Sequence, residues 1–335
     1  MEAEAASQAR RHQALDQALG EVVLRALAEP GVVEVLVNPD GRVIVDVLGQ
    51  GRRDLGVRLT VGARERVIRL VAAHAGQTIT PSAPRLSGAL PSGERFQAFL
   101  PPVCAQPAFS IRKRPQRIWT LKDYVAQRAM SPEEAATLGQ AVCARRNILV
   151  SGGAGSGKTT LANALLAEPA FASDRVFLIE DVRELQCSAW DQVATLTRRP
   201  PDAIAVVDLV RDALRMRPDR IVVGELRDGA SALETLKAWN TGHPGGLATI
   251  HANSALEALS RLEDLLAEVM ASSSLRLIER AVDLIVHVAR TDDGRRIEGL
   301  LWNPRSAGSN GQEGVSLWPW EAAEAVFTRD VGASP

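Results

Sequence analysis

Apolar and polar positions change their period several times along the chain, and each change predicts an element. Between about Ala14 and Ala28 the apolar residues Leu15, Leu19, Val22, Val23, Ala26 and Leu27 recur at helical spacing, and Pro30-Gly31 stops the helix. GVVEVLVNPDGRVIVDVLG then reads as a hairpin. Val33, Val35 and Val37 alternate with Glu34 and Leu36, Asn38-Pro39-Asp40-Gly41 supplies turn chemistry, and Val43 and Val45 resume the alternation. A second helix is predicted over residues 63–76. A Pro/Ser-rich loop, TPSAPRLSGALPSGERF, leads into short strands over Arg95–Leu100 and Phe109–Arg112. Together these predict a small α/β N-terminal domain over residues 1–114.

RPQRIWTLKDY opens a linker, residues 115–130. In Ser131-Pro132-Glu133-Glu134 the serine caps a helix, the proline takes its first position and Glu134 completes a capping box. Strands and helices then alternate: Ile148–Val150, a helix from Lys158, Val176–Ile179, a helix over 204–215, Ile221–Val223, a helix over 229–239, Leu247–Ile250 and a helix over 254–269. That order predicts a mostly parallel sheet with crossover helices. DLIVHVA (283–289) and the segment 295–302 are expected as an antiparallel tail on the sheet. The second domain is thus expected over 131–305. A Gly/Ser-rich C-terminal tail over 306–335 follows, with one short helix near 321–327.

Composition narrows the classes. A chain of 335 residues predicts two domains, and 46% hydrophobic residues suffice for real cores. Lys and Arg number 39 against 40 Asp and Glu, so no global basic field draws nucleic acid or an anionic membrane. The three cysteines, Cys104, Cys143 and Cys187, form no C-x-x-C pair, which argues against a zinc module or a disulfide framework. MEAEAASQARRHQALDQ lacks the apolar core of a signal peptide, and no apolar run approaches the ~18 residues of a spanning helix. A cytoplasmic protein is expected.

One stretch carries specific chemistry. NILVSGGAGSGKTTL contains Gly152-x-x-x-x-Gly157-Lys158-Thr159 between an apolar strand and a helix, the setting of a P-loop. The backbone of Gly153, Ala154, Gly155, Ser156, Gly157, Lys158, Thr159 and Thr160 would turn N–H groups toward phosphate oxygens, which glycines permit. Lys158 would meet the β- and γ-phosphates of ATP, and the Thr159 hydroxyl would join a Mg²⁺ shell. The strand 176–179 ends in Glu180-Asp181, with Glu184 one turn on, and the strand 221–223 ends in Gly224-Glu225. Carboxyl ends of neighbouring parallel strands face one crevice, so these acids are expected near the phosphates. Taken alone, Asp181 and Glu184 read equally well as helix-start or surface acids. His243 and His251 flank the Gly-rich loop and strand of TGHPGGLATIHANSA and are expected at the same sheet edge, whereas His287, mid-strand, reads as structural.

These segments, in this order, resemble the secretion ATPases of the type II/type IV secretion superfamily. The resemblance rests on GGAGSGKTT (152–160), LIEDVREL (178–185), LRMRPDRIVVGELRDG (214–229) and TGHPGGLATIHANS (241–254); the last three are similar to that superfamily's Asp box, Walker B and His box. ELQC (184–187), LKAWNTGHPGG, LVNPDGRV and LPSGERFQAFLPPV resemble its conjugal-transfer branch, and the similarity covers roughly residues 14–300. The four-cysteine module frequent in type II and pilus relatives is missing.

The resemblance implies a RecA-like C-terminal motor behind a smaller α/β, PAS-like N-terminal domain. It implies a homohexamer with ATP between the two domains, docked at the cytoplasmic face of the inner membrane on components of a conjugative type IV secretion channel, with peripheral membrane contact at most. It implies that Glu180 polarises the attacking water, that Glu225 sits at the Mg²⁺ and that His251 senses nucleotide state. Arg95 and Arg112 are the N-terminal candidates for the phosphates; Arg217 and Arg227 are candidates for nucleotide or interface contacts, or for plain ion pairs. Where relatives often carry Gly-Glu-Ala after the arginine, Asp228-Gly229-Ala230 stands here, which leaves the start of the next helix open. Two rivals remain: a pilus assembly, retraction or type II secretion motor, and a nucleic-acid-translocating RecA-like ATPase. The balanced charge and the lack of an aromatic–basic strip weigh against the second, and no sequence-specific nucleic-acid binding is expected.

Overall fold

The computed structural model describes residues 2–114, 118–198, 202–271, 274–291, 294–305 and 316–317. The chain divides into two units, residues 1–117 and 118–335. The first contains α1 (Glu2–Ala28), β1 (Val32–Val37), β2 (Arg42–Val47), β3 (Gly51–Arg58), α2 (Val61–His74), β4 (Arg85–Ala89), β5 (Arg95–Phe99) and β6 (Ala108–Arg112). Its six strands run in the order β3-β2-β1-β6-β5-β4, every pair antiparallel. Alternation puts Val35, Val37, Val43, Val45, Phe96, Ala98, Phe109 and Ile111 on one face, where they pack with Leu19 and Val23 of α1 and Val67, Ile68 and Val71 of α2. α1 kinks at Gly20, whose φ is +77°. Buried Arg64 fastens α2 to the β1–β2 turn by donating to the Asn38 carbonyl (2.9 Å) and to the segment before β6 by donating to the Pro107 carbonyl (2.8 Å). Two of these strands were not expected. β3 and β4 are the sheet's edges, where one-sided pairing tolerates polar residues such as Arg52, Arg53 and Ser87.

The second unit contains α3 (Leu121–Ala126), α4 (Pro132–Cys143), β7 (Ile148–Gly152), α5 (Lys158–Leu166), β8 (Arg175–Glu180), β9 (Asp191–Leu196), α6 (Val206–Ala213), β10 (Arg220–Val223), α7 (Gly229–Asn240), β11 (Leu247–His251), α8 (Ala255–Ala267), α9 (Leu275–Ala281), β12 (Leu284–Thr291), β13 (Gly294–Trp302) and β14 (Ser316–Leu317). The sheet order is β14-β13-β12-β7-β11-β10-β8-β9. Strands β7 to β12 are mutually parallel, and the near-continuous apolar runs of all but the edge strand β9 fit a sheet covered on both faces.

The residue choices at the helix starts are legible in the structure. Ser131 and Glu134 form the capping box at α4 with Pro132 inside it. Asp228 caps α7 by accepting from Ser231 N, which settles the helix start left open above. The stretch expected as a linker carries α3, capped by Thr120 and Asp123.

One expectation needs correction. DLIVHVA does not begin an antiparallel tail: β12 pairs parallel with β7, Ile285 opposite Leu149, and the antiparallel member is β13. The reason is α9, unpredicted, which returns the chain to the amino edge so that one more parallel strand can form. The expected tail helix near 321–327 lies outside the described residues.

Candidate active site

The loop between β7 and α5 is shaped by two glycines that no other residue could replace. A Cβ on Gly152 would stand 2.3 Å from Ser156 Oγ and 2.4 Å from the Val288 carbonyl oxygen. Gly157 caps α5 at φ +104°, and a Cβ there would meet Arg295 Cδ at 2.8 Å. The first N–H groups of α5 have no partner within the helix and aim into the loop. Lys158 Nζ donates to the carbonyls of Gly152 (2.8 Å) and Gly153 (2.9 Å), so its charge stands at the loop's mouth. Ser156 is 2% exposed, and its hydroxyl has no hydrogen-bond partner within the protein. A glycine cradle, a helix N-terminus, an ammonium group and a buried hydroxyl fit a polyphosphate.

Strands β8 and β10 bring the acids to the same edge. Glu180, the last residue of β8, is 4% exposed, and its Oε1 accepts from the backbone N–H of Glu184 and of Leu185, both at 2.7 Å. Burial pushes its carboxyl up to about 7, the two backbone donors offset part of that, and the neighbouring Glu184 charge adds to it. Gly224 explains its own presence. A Cβ there would lie 3.3 Å from Glu180 Cγ, so the glycine before Glu225 leaves room for the buried carboxylate.

Glu225 and Asp181 are bridged by Arg227, at 2.5 and 2.6 Å, which resolves Arg227 as an ion-pair partner of the acids. Glu184 Oε2 lies 3.4 Å from Thr159 Oγ1. Among the described residues no group of His, Cys, Asp and Glu forms a metal cage.

Gly224→Ala should displace the Glu180 carboxylate, because a Cβ at 224 would stand 3.3 Å from Glu180 Cγ. Its stability loss should be about 1–3 kcal/mol, the usual cost of an added methyl group in a packed site. Thermal melts and a pH titration of the Glu180 carboxyl test this; an unchanged titration and an unchanged melt would show that the glycine serves only the backbone.

The histidines separate. His251 ends β11 directly opposite Gly152 at the carboxyl edge, exposed. His243 instead lies at the amino edge, its Nδ1 donating to the Pro218 carbonyl at 2.9 Å, so the expectation that the two share an edge is corrected. Buried His287 meets Ser151 Oγ at 2.9 Å beneath the loop, and burial holds its pKa down, in keeping with the structural reading. Arg217 precedes β10, exposed, at the amino edge and thus away from its own chain's phosphate loop. Arg95 and Arg112 belong to the first unit, where they face each other across β5 and β6 on the sheet face opposite the helices.

Asn163 was missed. Its Nδ2 donates to Glu184 O (3.1 Å) and its Oδ1 accepts from Gln186 N (2.9 Å), pinning the segment after β8 to α5. Its spacing of four residues from Thr159 was the available signal, a polar position on the apolar helix.

Residues 63–315 match the family described as Type II/IV secretion system protein. The conjugal transfer protein TrbB of Rhizobium radiobacter is 45% identical over 290 residues, 86% of this chain and 88% of that one. The type IV secretion system protein PtlH of Bordetella pertussis is 36% identical over 264 residues, 70% of this chain and 77% of its own. The solved structure of the Legionella pneumophila ATPase DotB superposes with a TM-score of 0.61 at 19% identity, covering 84% of this chain and 80% of that one, a likeness of fold.

Proposed function

The chain belongs to the Type II/IV secretion system protein family, and from that premise we propose that it is an ATPase that powers a conjugative type IV secretion system. The observation that carries this reading is the convergence of a formed phosphate loop with a buried carboxylate of pKa about 7 at the same sheet edge.

In this reading Glu180 takes a proton from the attacking water. A base poised near the working pH suits that role, because enough of it is ionised and it still holds the proton well. Lys158 and the N–H groups of the loop bear the phosphate charge. Mg²⁺, when bound, neutralises charge on the β- and γ-phosphates; Thr159 and Glu225 would hold it, with Glu184 beside Thr159. Arg227 keeps Glu225 and Asp181 oriented. In the same reading His251 reports on the occupied loop, a role supported by its position across from Gly152. Arg95 and Arg112 keep their proposed role as phosphate-facing cations; Arg217 does not serve its own chain's loop.

The family relation supports a homohexamer docked on inner-membrane channel components from the cytoplasmic side. Among the described residues no helix is long and apolar enough to cross a membrane. The decisive experiment pairs the measured mass of the purified protein, with and without ATP, with Mg²⁺-dependent ATPase rates. A hexamer that turns over ATP is expected. A monomer without ATPase activity would overturn the reading.

A further inference from the structure

A side chain on α5 reaches the buried carboxylate of β8 through a single peptide group. Glu180 Oε1 accepts from Leu185 N at 2.7 Å. The carbonyl of that same peptide unit belongs to Glu184, and it accepts from Asn163 Nδ2 at 3.1 Å. A trans peptide unit is planar, with its C=O and N–H on opposite edges. The bond that Asn163 makes to one edge therefore fixes where the other edge points, and it points at Glu180. A donor on the carbonyl also polarises the unit, which strengthens its N–H as a donor. The next unit is held too, since Gln186 N donates to Asn163 Oδ1 at 2.9 Å. One side-chain amide thus clamps both peptide groups that flank Leu185.

The clamp is needed because residues 181–189 form neither helix nor strand, so no ladder sets their peptide groups. Two other anchors hold this segment. Ser188 donates to the Leu166 carbonyl through its N–H (3.3 Å) and its hydroxyl (3.0 Å), and Leu185 packs in the core with Leu161 and Leu165. Those anchors fix where the segment lies, and neither bonds the peptide group that faces Glu180. Asn163 is 2% exposed, between buried Ala162 and Ala164. Packing alone would be served by an apolar side chain, since a buried amide carries a desolvation cost. The two backbone groups that Asn163 satisfies account for its presence. Thr159, Asn163 and Leu166 follow one another at spacings of four and three, on one face of α5. The segment after β8 is thus docked along the same helix that carries the phosphate loop.

We propose that Asn163 is a positioning residue for hydrolysis: through the Glu184–Leu185 peptide group it aims the Glu180 carboxylate, so that the base and the phosphate loop are set on one support, α5. The inference rests on the reading of the chain as an ATPase with Glu180 as its base. Asn163 acts only through another group. Its two polar atoms are engaged with the segment after β8 and not with the phosphate loop. Its loss should therefore slow the chemical step and leave nucleotide affinity in place, the signature of a contribution made to the transition state alone.

The test uses the full chain with Asn163→Ala, alone and combined with Glu180→Gln. Amide hydrogen exchange over residues 184–186 should quicken about tenfold, the effect of losing one hydrogen bond. In steady-state kinetics with Mg-ATP the kcat should fall about 10–100-fold, as for a reacting group displaced by up to ~1 Å. The KM for ATP and the calorimetric Kd for ADP should stay within about twofold. In the Glu180→Gln background the alanine change should slow turnover less than about twofold further, because the group that Asn163 aims is already gone. Asn163→Ser, whose hydroxyl serves one of the two backbone groups, should recover part of the kcat, and this variant decides the question should the alanine variant melt early. Unchanged kcat, a rise in KM and Kd alongside the fall in kcat, or an undiminished effect in the Glu180→Gln background overturns the proposal. A wild-type chain without ATP turnover overturns the ATPase reading along with it; a wild-type chain that turns over, with unaltered Asn163 variants, overturns this proposal alone.

Discussion

Glu180→Gln is expected to bind ATP with near-normal affinity and to hydrolyse it about 10²–10⁴-fold more slowly, the usual contribution of a positioned base. The substitution is close to isosteric, and the amide oxygen can accept from Glu184 N and Leu185 N as Oε1 does now, so the loop after β8 keeps its anchor. What is lost is the capacity to take a proton. A second effect runs the opposite way. The folded carboxyl is raised to about 7 from an ordinary 4.5, so the folded state binds this proton more tightly than the unfolded chain does. Stability from this group is therefore full below the unfolded value, falls as pH rises toward 7, and is gone above it. At roughly 1.4 kcal/mol per unit, the ionised form costs the fold up to about 3 kcal/mol at pH 8. Glu180→Gln should accordingly melt higher than wild type at pH 8 and about equally at pH 5. Wild-type kcat/KM should fall on the acid side with an apparent pKa near 7, and the variant should lose that limb. Near-normal turnover at pH 8 would remove Glu180 from its role; a variant less stable at pH 8 would mean that burial, not charge, sets the energetics there.

The motif-bearing positions were legible because their chemistry requires both a residue type and a strand end. Glycines at 152 and 157, Lys158 and Thr159 announce a phosphate loop, and the parallel-sheet rule then places Glu180, Glu225 and His251 at one edge. The same rule should have separated His243 from His251, since they bracket a strand and must lie at its two ends. What Gly224 makes room for is visible only in the structure, in the 3.3 Å approach of Glu180 Cγ. Edge strands were harder. β9 reads DQVATL, half exposed along its length, with no apolar excess to set it apart from a loop. Arg295 and Arg220 are contacts across distant sequence, and an arginine carries no local pattern that says which carbonyl or glycine it will meet.

Arg220→Ala should be the most destabilising single change outside the phosphate loop, by about 3–5 kcal/mol, the cost of stranding the partner of a buried ion pair. Arg220 is 1% exposed. Its Nε donates to Asp174 at 2.6 Å, its Nη1 to the carbonyls of Val142 (3.1 Å) and Gly245 (3.4 Å), and its Nη2 to that of Ala170 (3.3 Å), while its plane lies 4.3 Å from the Phe171 ring centre. One side chain thus joins the end of α4, the turn before β8, the start of β10 and the glycine loop before β11. Asp174 would keep Arg145 but lose its buried partner, and three carbonyls would lose a donor. A unit of about 200 residues loses ~2–4 °C per kcal/mol, so the melting temperature should drop by roughly 6–20 °C. Arg220→Lys should fare little better, since a single ammonium cannot span a carboxylate and three carbonyls. Adding Asp174→Asn to Arg220→Met should recover much of the loss if the stranded charge is its cause. A loss under about 1 kcal/mol for Arg220→Ala would mean that water or a neighbouring cation satisfies Asp174. The amino edge would then be looser than its hydrogen bonds indicate. Because this cluster sits at the edge opposite the phosphate loop, the molecules that remain folded should bind ADP as wild type does. A matching loss of affinity would instead tie the two edges together through β10.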